Sequence, residues 1–427
     1  MNDYALLFPG QGCQYVGMAK RLYEEYASVR RLFEEANELL DLNLSKLCFE
    51  GSLDELTKTE NTQPAILVTS VAMFTMFVEE REVLPRFAAG HSLGEISALT
   101  CAGVISFPDA VKMVRKRGIL MQEASSSSKG TMYAIHGMQR ERVEEILEED
   151  PLVSGRVVIS NYNSPEQVVI SGVKAATKEA AERLELQGAR SIKLNVSAPF
   201  HCPLMQPAAD EFREGLKDYV YRKPAFPVLS NVTARPYTDT TDISKILSLQ
   251  IIKPVLWQDT MKFLQRSGIS TVIDIGPQAV LRNLAVENVP SITAFSYDRE
   301  NDRDSIREWF SHPSANGTSE SNSWVRTFVI QCFAESVCTK NHNWNEEEYH
   351  NGVLTPCERL RQIITRCEQN AAASKLEDAM EALALLRVIM NTKRVPDEEQ
   401  SVRLGRIMER AGENVRVLDP VLIGDSR

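Results

Sequence analysis

Gly90-His91-Ser92-Leu93-Gly94-Glu95 sets a serine between two glycines, and Ala198-Pro199-Phe200-His201 supplies an imidazole much further along the chain. A hydroxyl nucleophile with a histidine base is the pairing of acyl transfer through a serine ester. Phe87-Ala88-Ala89 reads as a short buried strand, and Glu95-Ile96-Ser97-Ala98-Leu99 starts a helix. Between them the backbone must reverse sharply, so the residues two before and two after Ser92 must lack bulk. The turn lifts the hydroxyl into the open and points the helix N-terminus at whatever bonds to it. A lone G-x-S-x-G is common by chance, and three companions narrow the reading.

The first is Leu7-Phe8-Pro9-Gly10-Gln11-Gly12-Cys13-Gln14, where an apolar strand, Tyr4 to Phe8, ends in a Pro-Gly-x-Gly loop whose N–H groups can approach an oxyanion. The second is Arg117, just past the elbow helix, a residue able to grip a carboxylate with two N–H groups. The third is Gln250 in the apolar segment Leu249 to Trp257, whose side-chain or main-chain carbonyl can orient a histidine ring. Taken singly, each also fits a plain turn, a solvated basic face or a helix surface.

Together they resemble one family, the malonyl-CoA:acyl-carrier-protein transacylases of fatty-acid and polyketide synthesis. FPGQGCQ is similar to that family's opening FPGQGSQ, with Cys13 in place of the usual serine. Asn61-Thr62-Gln63-Pro64-Ala65, the GHSLGE elbow, Arg117-Gly118, Asn161-Tyr162-Asn163-Ser164-Pro165, Val169-Ile170-Ser171-Gly172 and Val196-Ser197-Ala198-Pro199-Phe200-His201 follow in the family's order. Pro227 to Thr233 and Asp274-Ile275-Gly276-Pro277 complete the set, which covers residues 1 to 300.

The resemblance implies roles residue by residue. Ser92 is the expected nucleophile, His201 the general base and Gln250 its orienting partner, standing where hydrolases place an aspartate. Backbone N–H groups of Gln11 and Leu93 are the expected oxyanion hole. Arg117 is expected to pair with the free carboxylate of a malonyl unit, with Gln63, His91, Met121, Asn161 and Phe200 around the substrate. A neutral partner on His201 stabilises imidazolium less than a carboxylate does, which suits an acyl-serine that must wait for a thiol. Phe200 and Leu93 resemble the malonyl-selecting pattern, a preference because one methyl shifts selectivity only ~10–200-fold. Coenzyme A thioester and the phosphopantetheine of an acyl carrier protein are the implied substrates, with no metal and no resident cofactor.

The elements that position these residues follow. An α/β-hydrolase-like large subdomain over residues 1–130 and 198–300 is interrupted by a small one at 131–197. The latter reads strand (Met132 to His136), helix (Arg140 to Glu149), strand (Arg156 to Asn161), strand (Gln167 to Ser171), helix (Lys174 to Gln187), strand (Ser191 to Val196). That order is ferredoxin-like, and its place between Ser92 and His201 puts the site in the cleft between the units.

With 427 residues the chain can hold a large core plus an added module. No stretch reads as the ~20 apolar residues of a membrane span, and no leader-like run opens the chain, so a cytoplasmic enzyme is expected. Eight cysteines without a C-x-x-C pair read as reduced thiols, with Cys13 and Cys202 flanking the site where their modification would block it. A net charge of −10 argues against nucleic acid as a partner. It also calls for a local basic patch to receive an acidic carrier protein, for which Lys112, Arg115, Lys116 and Arg190 are candidates.

After residue 300 the character changes. Residues 301–323 read as a linker, most clearly in the polar run from Ser311 to Ser323, and 324–427 as an all-α extension. Trp324 to Thr339, Pro356 to Asn370, Ser374 to Asn391 and Pro396 to Ala411 read as amphipathic helices; Leu376, Met380, Leu383, Leu386 and Met390 form one apolar stripe. Cys338, His342, His350 and Cys357 lack zinc-module spacing. The extension resembles no family. It suggests either a packed or self-associating element, or docking to a larger assembly such as a polyketide synthase whose modules lack their own acyltransferase. Beside acyl transfer, an editing thioester hydrolase on the same fold and a non-catalytic docking protein stay open; Arg117 counts against the first, the intact Ser92, His201, Gln250 and Arg117 set against the second.

Overall fold

The computed structural model describes residues 4–80, 84–127, 130–196, 198–238, 243–311, 323–339, 341–343, 345–369 and 376–411. Ser197, the polar run 312–322 and residues 412–427 lie outside the described residues.

Strand β1 (Tyr4–Phe8) is the middle of a five-stranded parallel sheet with β2 (Phe87–Gly90) on one side and β8 (Thr271–Asp274) on the other. β7 (Val228–Leu229) and β9 (Thr293–Ser296) close the two edges. Alternation along β1 sorts its side chains: Tyr4, Leu6 and Phe8 enter one apolar core, Ala5 and Leu7 the opposite one. A parallel sheet of this kind must be covered by helices on both faces, as it is here.

The insertion, β3 (Gly130–His136), β4 (Val157–Ser164), β5 (Gln167–Val173) and β6 (Arg190–Lys193), forms an antiparallel sheet ordered β4-β5-β3-β6. Helices Arg140–Glu149 and Lys174–Leu186 pack on it around Ile135, Val143, Ile170 and Leu184. This is the ferredoxin-like arrangement expected from sequence, with β6 ending at Lys193 rather than Val196.

Two stretches differ from the sequence reading. Residues Glu300–Ser311, the start of the expected linker, form a helix whose Trp309 and Phe310 rings stand edge-on to Tyr4 of β1. The helix Thr59–Glu80 is long and apolar enough to cross a membrane by composition, contrary to the expectation that no stretch is. Its apolar window is wholly buried in the fold, where it serves as a central core helix.

The extension folds as helices Ser323–Cys338, Glu346–Tyr349 continuing through a π-turn at His350–Leu354, Thr355–Gln369, Leu376–Thr392 and Asp397–Ala411. Val325, Phe328, Val329 and Phe333 of its first helix belong to the same apolar cluster as Leu6, Phe77 and Val114 of the catalytic unit. Leu383, Leu386 and Met390 of the stripe are buried in that cluster and Leu376 and Met380 lie against it. The extension therefore shares the core of the catalytic unit.

Candidate active site

β1 and β2 run in register, so Phe8 lies opposite Gly90, and the chain after each strand enters the same end of the sheet. That pairing brings the Pro9-Gly10-Gln11-Gly12 loop against the elbow, where the His91 N–H donates to the Phe8 carbonyl at 2.9 Å. Ser92 sits at φ 53°, ψ −109°, a conformation the surrounding structure must impose on a residue with a Cβ. Both flanking glycines are sterically required. A Cβ on Gly90 would stand 1.9 Å from the Gly94 carbonyl carbon, and one on Gly94 would stand 1.9 Å from the Phe8 carbonyl oxygen.

Ser92 Oγ lies 2.8 Å from His201 Nε2, and His201 Nδ1 lies 2.7 Å from the main-chain carbonyl of Gln250. The carbonyl can only accept, so Nδ1 carries the ring proton and Nε2 is free to take one from the hydroxyl. Arg117 Nη2 donates to the same Ser92 Oγ at 3.2 Å and to Gln250 Oε1 at 3.0 Å, while Nη1 donates to Gln63 Oε1 at 2.8 Å. Burial, with Arg117 adding to it, lowers His201 to about 3, so the ring is a neutral acceptor at ordinary pH. Burial also lowers Arg117, to about 10, against the pull of Glu95, and the side chain stays cationic.

Of the two carbonyls that position 250 offers, the main-chain one meets the ring, which corrects the expectation of an amide oxygen standing in place of an aspartate. The side-chain amide of Gln250 is turned away from His201, donating to Glu95 Oε2 and to the Ser92 carbonyl at 3.0 Å. The ring is oriented by main chain, which any residue at position 250 supplies, so exchanging that side chain for aspartate would not put a carboxylate on the histidine.

The remaining predicted residues divide between the cleft and the layer behind it. An open cleft of about 470 Å³ between the two subdomains is lined by Gln11, His91, Ser92, Asn161, Phe200 and His201. Leu93 opens the elbow helix (Leu93–Cys101), so its N–H is one of the first-turn donors with no acceptor inside the helix. The Ser92 N–H, by contrast, is taken by Asn231 Oδ1 at 2.7 Å. His91 holds Asn163 Oδ1 at 2.9 Å and stands over Trp257, which removes it as rival for the base position beside Ser92. Gln63 and Met121 are buried behind Arg117, Gln63 Nε2 lying 3.5 Å from the Met121 sulfur, and they line no part of the cleft.

Cys13 and Cys202 also differ from expectation. Both are buried, their thiols donate to the Gly10 and Pro199 carbonyls at 3.0 and 2.9 Å, and burial raises both pKa values. Such thiols are unreactive, so they offer no handle for blocking the site. In the proposed basic patch Arg115 is spent on Asn61 Oδ1 at 2.6 Å and Lys116 on Glu211 at 2.6 Å. No group of three or more metal-ligating side chains converges among the described residues.

Sequence reasoning missed the layer beneath the reacting groups: Glu95, Asn231 and Tyr237. Tyr237 Oη, Gln250 Nε2 and Asn231 N all donate to the Glu95 carboxylate. Glu95 and Asn231 stood in quoted motifs. The usable signal was a carboxylate three residues after the serine on an otherwise apolar helix, a position that burial makes costly unless it is bonded.

A parallel sheet carrying a nucleophile elbow, with an inserted antiparallel sheet closing a cleft over it, defines an acyltransferase class. The chain belongs to the acyl transferase domain family, which matches residues 5–301. A malonyl CoA-acyl carrier protein transacylase of Bacillus subtilis is 35% identical over 400 residues, 94% of this chain and 99% of its own length. Another, from Bacillus subtilis strain 168, is 45% identical over 285 residues, 66% of this chain and 90% of its own. Among solved structures, a malonyl-transacylase in complex with its type II polyketide acyl-carrier protein gives a TM-score of 0.69 at 38% identity, covering 72% of this chain and 99% of that one. An acyl carrier protein S-malonyltransferase from Vibrio cholerae gives 0.68 at 39%, covering 71% and 99%. The first relative thus spans most of the extension as well, a stretch that carries no motif of a named family.

Proposed function

We propose that this acyltransferase moves a malonyl unit from coenzyme A, through an ester on Ser92, to the phosphopantetheine thiol of an acyl carrier protein. The observation that carries the reading is a single hydroxyl, Ser92 Oγ, shared between a neutral imidazole nitrogen at 2.8 Å and a guanidinium at 3.2 Å.

Ser92 Oγ attacks the thioester carbonyl while its proton passes to His201 Nε2. The N–H groups of Gln11 and Leu93 receive the oxyanion, a contribution of about 3 kcal/mol per donor in comparable sites. The imidazolium then protonates the departing coenzyme A sulfur, leaving malonyl-Ser92. The carrier thiol gives its proton to His201, attacks the ester, and the hydroxyl returns. With a carbonyl on Nδ1 and a guanidinium nearby, the imidazolium is weakly stabilised, so activation of water is poor and the ester outlasts it.

Arg117 is the charge that receives the malonyl carboxylate. Because it is fully buried and bonded to Ser92 Oγ in this state, the carboxylate must draw the guanidinium away from the hydroxyl, a side-chain movement within the site. A monoacid leaves that charge without a partner. Phe200, at 6% exposure in the cleft wall, fills the space a methyl branch would need. The coenzyme A donor and carrier acceptor agree with what the named relatives act on, and a cytoplasmic setting supplies both.

Intact-protein mass after exposure to malonyl-CoA, acetyl-CoA and methylmalonyl-CoA, followed by carrier protein, tests this. A malonyl adduct absent from Ser92→Ala and passed to the carrier is expected. Turnover of acyl-carrier thioesters to free acid with no dicarboxylic adduct would overturn the reading in favour of an editing hydrolase.

A further inference from the structure

Glu95 lies in the first turn of the elbow helix and is fully buried. Its carboxylate forms no part of the cleft wall. It accepts from three separate segments: the Tyr237 hydroxyl, the Asn231 N–H at 3.1 Å and Gln250 Nε2 at 2.5 Å. All three partners face it as donors, which a group made only of acceptors satisfies.

Each chain of contacts goes on to a reacting group. Asn231 Oδ1 takes the Ser92 N–H at 2.7 Å, the Gln250 main-chain oxygen takes His201 Nδ1 at 2.7 Å, and Gln250 Oε1 takes Arg117 Nη2 at 3.0 Å. Nucleophile, base and cation are thus each one residue removed from the same carboxylate. The Gln250 amide lies between opposite charges, its NH₂ toward Glu95 and its oxygen toward Arg117. That polarity fixes which way the amide faces and strengthens both bonds.

We propose that Glu95 is the positioning residue of this site. It holds Asn231 and Gln250 so that Ser92 and His201 meet, and it is the buried counter-charge that balances Arg117 between substrates. The proposal rests on the acyl-Ser92 reading above. The mutual electrostatics agree with the geometry: burial raises Glu95 to about 7, the hydrogen bonds from Tyr237, Gln250 and Asn231 and then the Arg117 charge draw it back, and Glu95 in turn supports the charge on Arg117.

The test is Glu95→Gln. Its NH₂ can face Tyr237, whose hydroxyl accepts as readily as it donates, so the hydrogen bonds survive and the charge alone is lost. An uncompensated guanidinium then grips the malonyl carboxylate harder and opposes the imidazolium more strongly. Steady-state transfer from malonyl-CoA at pH 8, where Glu95 at about 7 is ionised, should show kcat down ~10-fold and KM down rather than up, at a melting temperature near wild type. A merely structural role does not lower KM. Unchanged kcat and KM, or a loss confined to a raised KM, overturns the proposal.

If Glu95→Gln does not fold, Tyr237→Phe removes one donor and leaves the carboxylate. A lowered kcat at unchanged melting temperature supports the assignment, and an unchanged kcat overturns it. Wild-type protein that takes up no malonyl unit would instead remove the functional reading itself.

Discussion

Polar side chains are buried in both the cleft and the helical extension, and they are buried for different ends. At and beneath the cleft floor, Arg117, His201 and Glu95 are bonded so as to leave a hydroxyl, a ring nitrogen and a guanidinium facing one another. In the extension the buried charges turn inward. Arg403 is held by Glu335 and by Glu399 at 2.9 Å, and Glu399 also reaches Arg31 of the catalytic unit at 3.2 Å. Lys393 Nζ donates to the Ser336 and Thr339 carbonyls at 2.8 and 2.6 Å, and Arg361 donates to the Gly103 carbonyl just past the elbow helix. Arg403 and Lys393 tie the extension together, while Glu399 and Arg361 attach it, Arg361 at the opposite end of the elbow helix from Ser92. The family match ends at residue 301, whereas the apolar core runs on beyond it.

Truncation after residue 311 should break this comparison most severely. It bares the apolar face now covered by Phe328, Val329 and Phe333, and the expected result is loss of soluble protein. A soluble truncated chain with wild-type melting temperature would show that the extension is a separate module, and a docking role would regain ground. Next in size, His201→Ala should slow formation of the malonyl adduct by ~10³-fold or more, with thermal unfolding little changed. Adduct formation at a wild-type rate would move the base elsewhere. Leu386→Ala, in the stripe, should lower stability by about 2–5 kcal/mol in one transition shared with the catalytic unit. Two separate transitions in calorimetry would place a boundary where the structure has continuous packing.

The mildest test is pH. His201 is lowered from 6.5 to about 3, so the base stays unprotonated until pH falls toward that value. As far as this base is concerned, kcat/KM for malonyl-CoA should stay flat from pH 8 to about 5. Stability moves the other way from a raised histidine. The unfolded ring takes its proton near 6.5 while the folded one does not, so stability declines as pH drops below 6.5. Because Glu95 lies at about 7, the diagnostic result is an activity midpoint near 6.5 that persists in Glu95→Gln, which would mean that the ring is far more solvated than its burial implies.

Much of the cleft was legible because motifs preserve local geometry. The glycines around Ser92, the Pro-Gly loop after β1 and the strand–helix alternation of the insertion each depend on neighbours in sequence. What lay hidden depends on partners 136 to 155 residues apart, as when Asn231 and Gln250 converge on Glu95. Whether the main chain or the side chain of Gln250 faces His201 is likewise a matter of how one helix end is turned. In the extension, periodicity located the helices but not their attachment. Arg403, Lys393 and Arg361 look in sequence like members of a solvated face, and only tertiary packing reveals that they are enclosed. The helix Glu300–Ser311 escaped notice because its acidic start resembles a linker, while Trp309 and Phe310 find their partners on β1.

The placement of β1 in the middle of the parallel sheet bears on how the chain is made. Residues 4–8 leave the ribosome before both of their neighbours in the sheet, and β2 is available to pair with them early. The other side of β1 waits for β8, about 180 residues after β2, which at roughly 5–20 residues per second is ~10–40 s of synthesis. Through that interval the nascent chain carries an open strand edge at the heart of its sheet. Yield of active protein should therefore depend on translation speed and chaperone supply between codons 90 and 271.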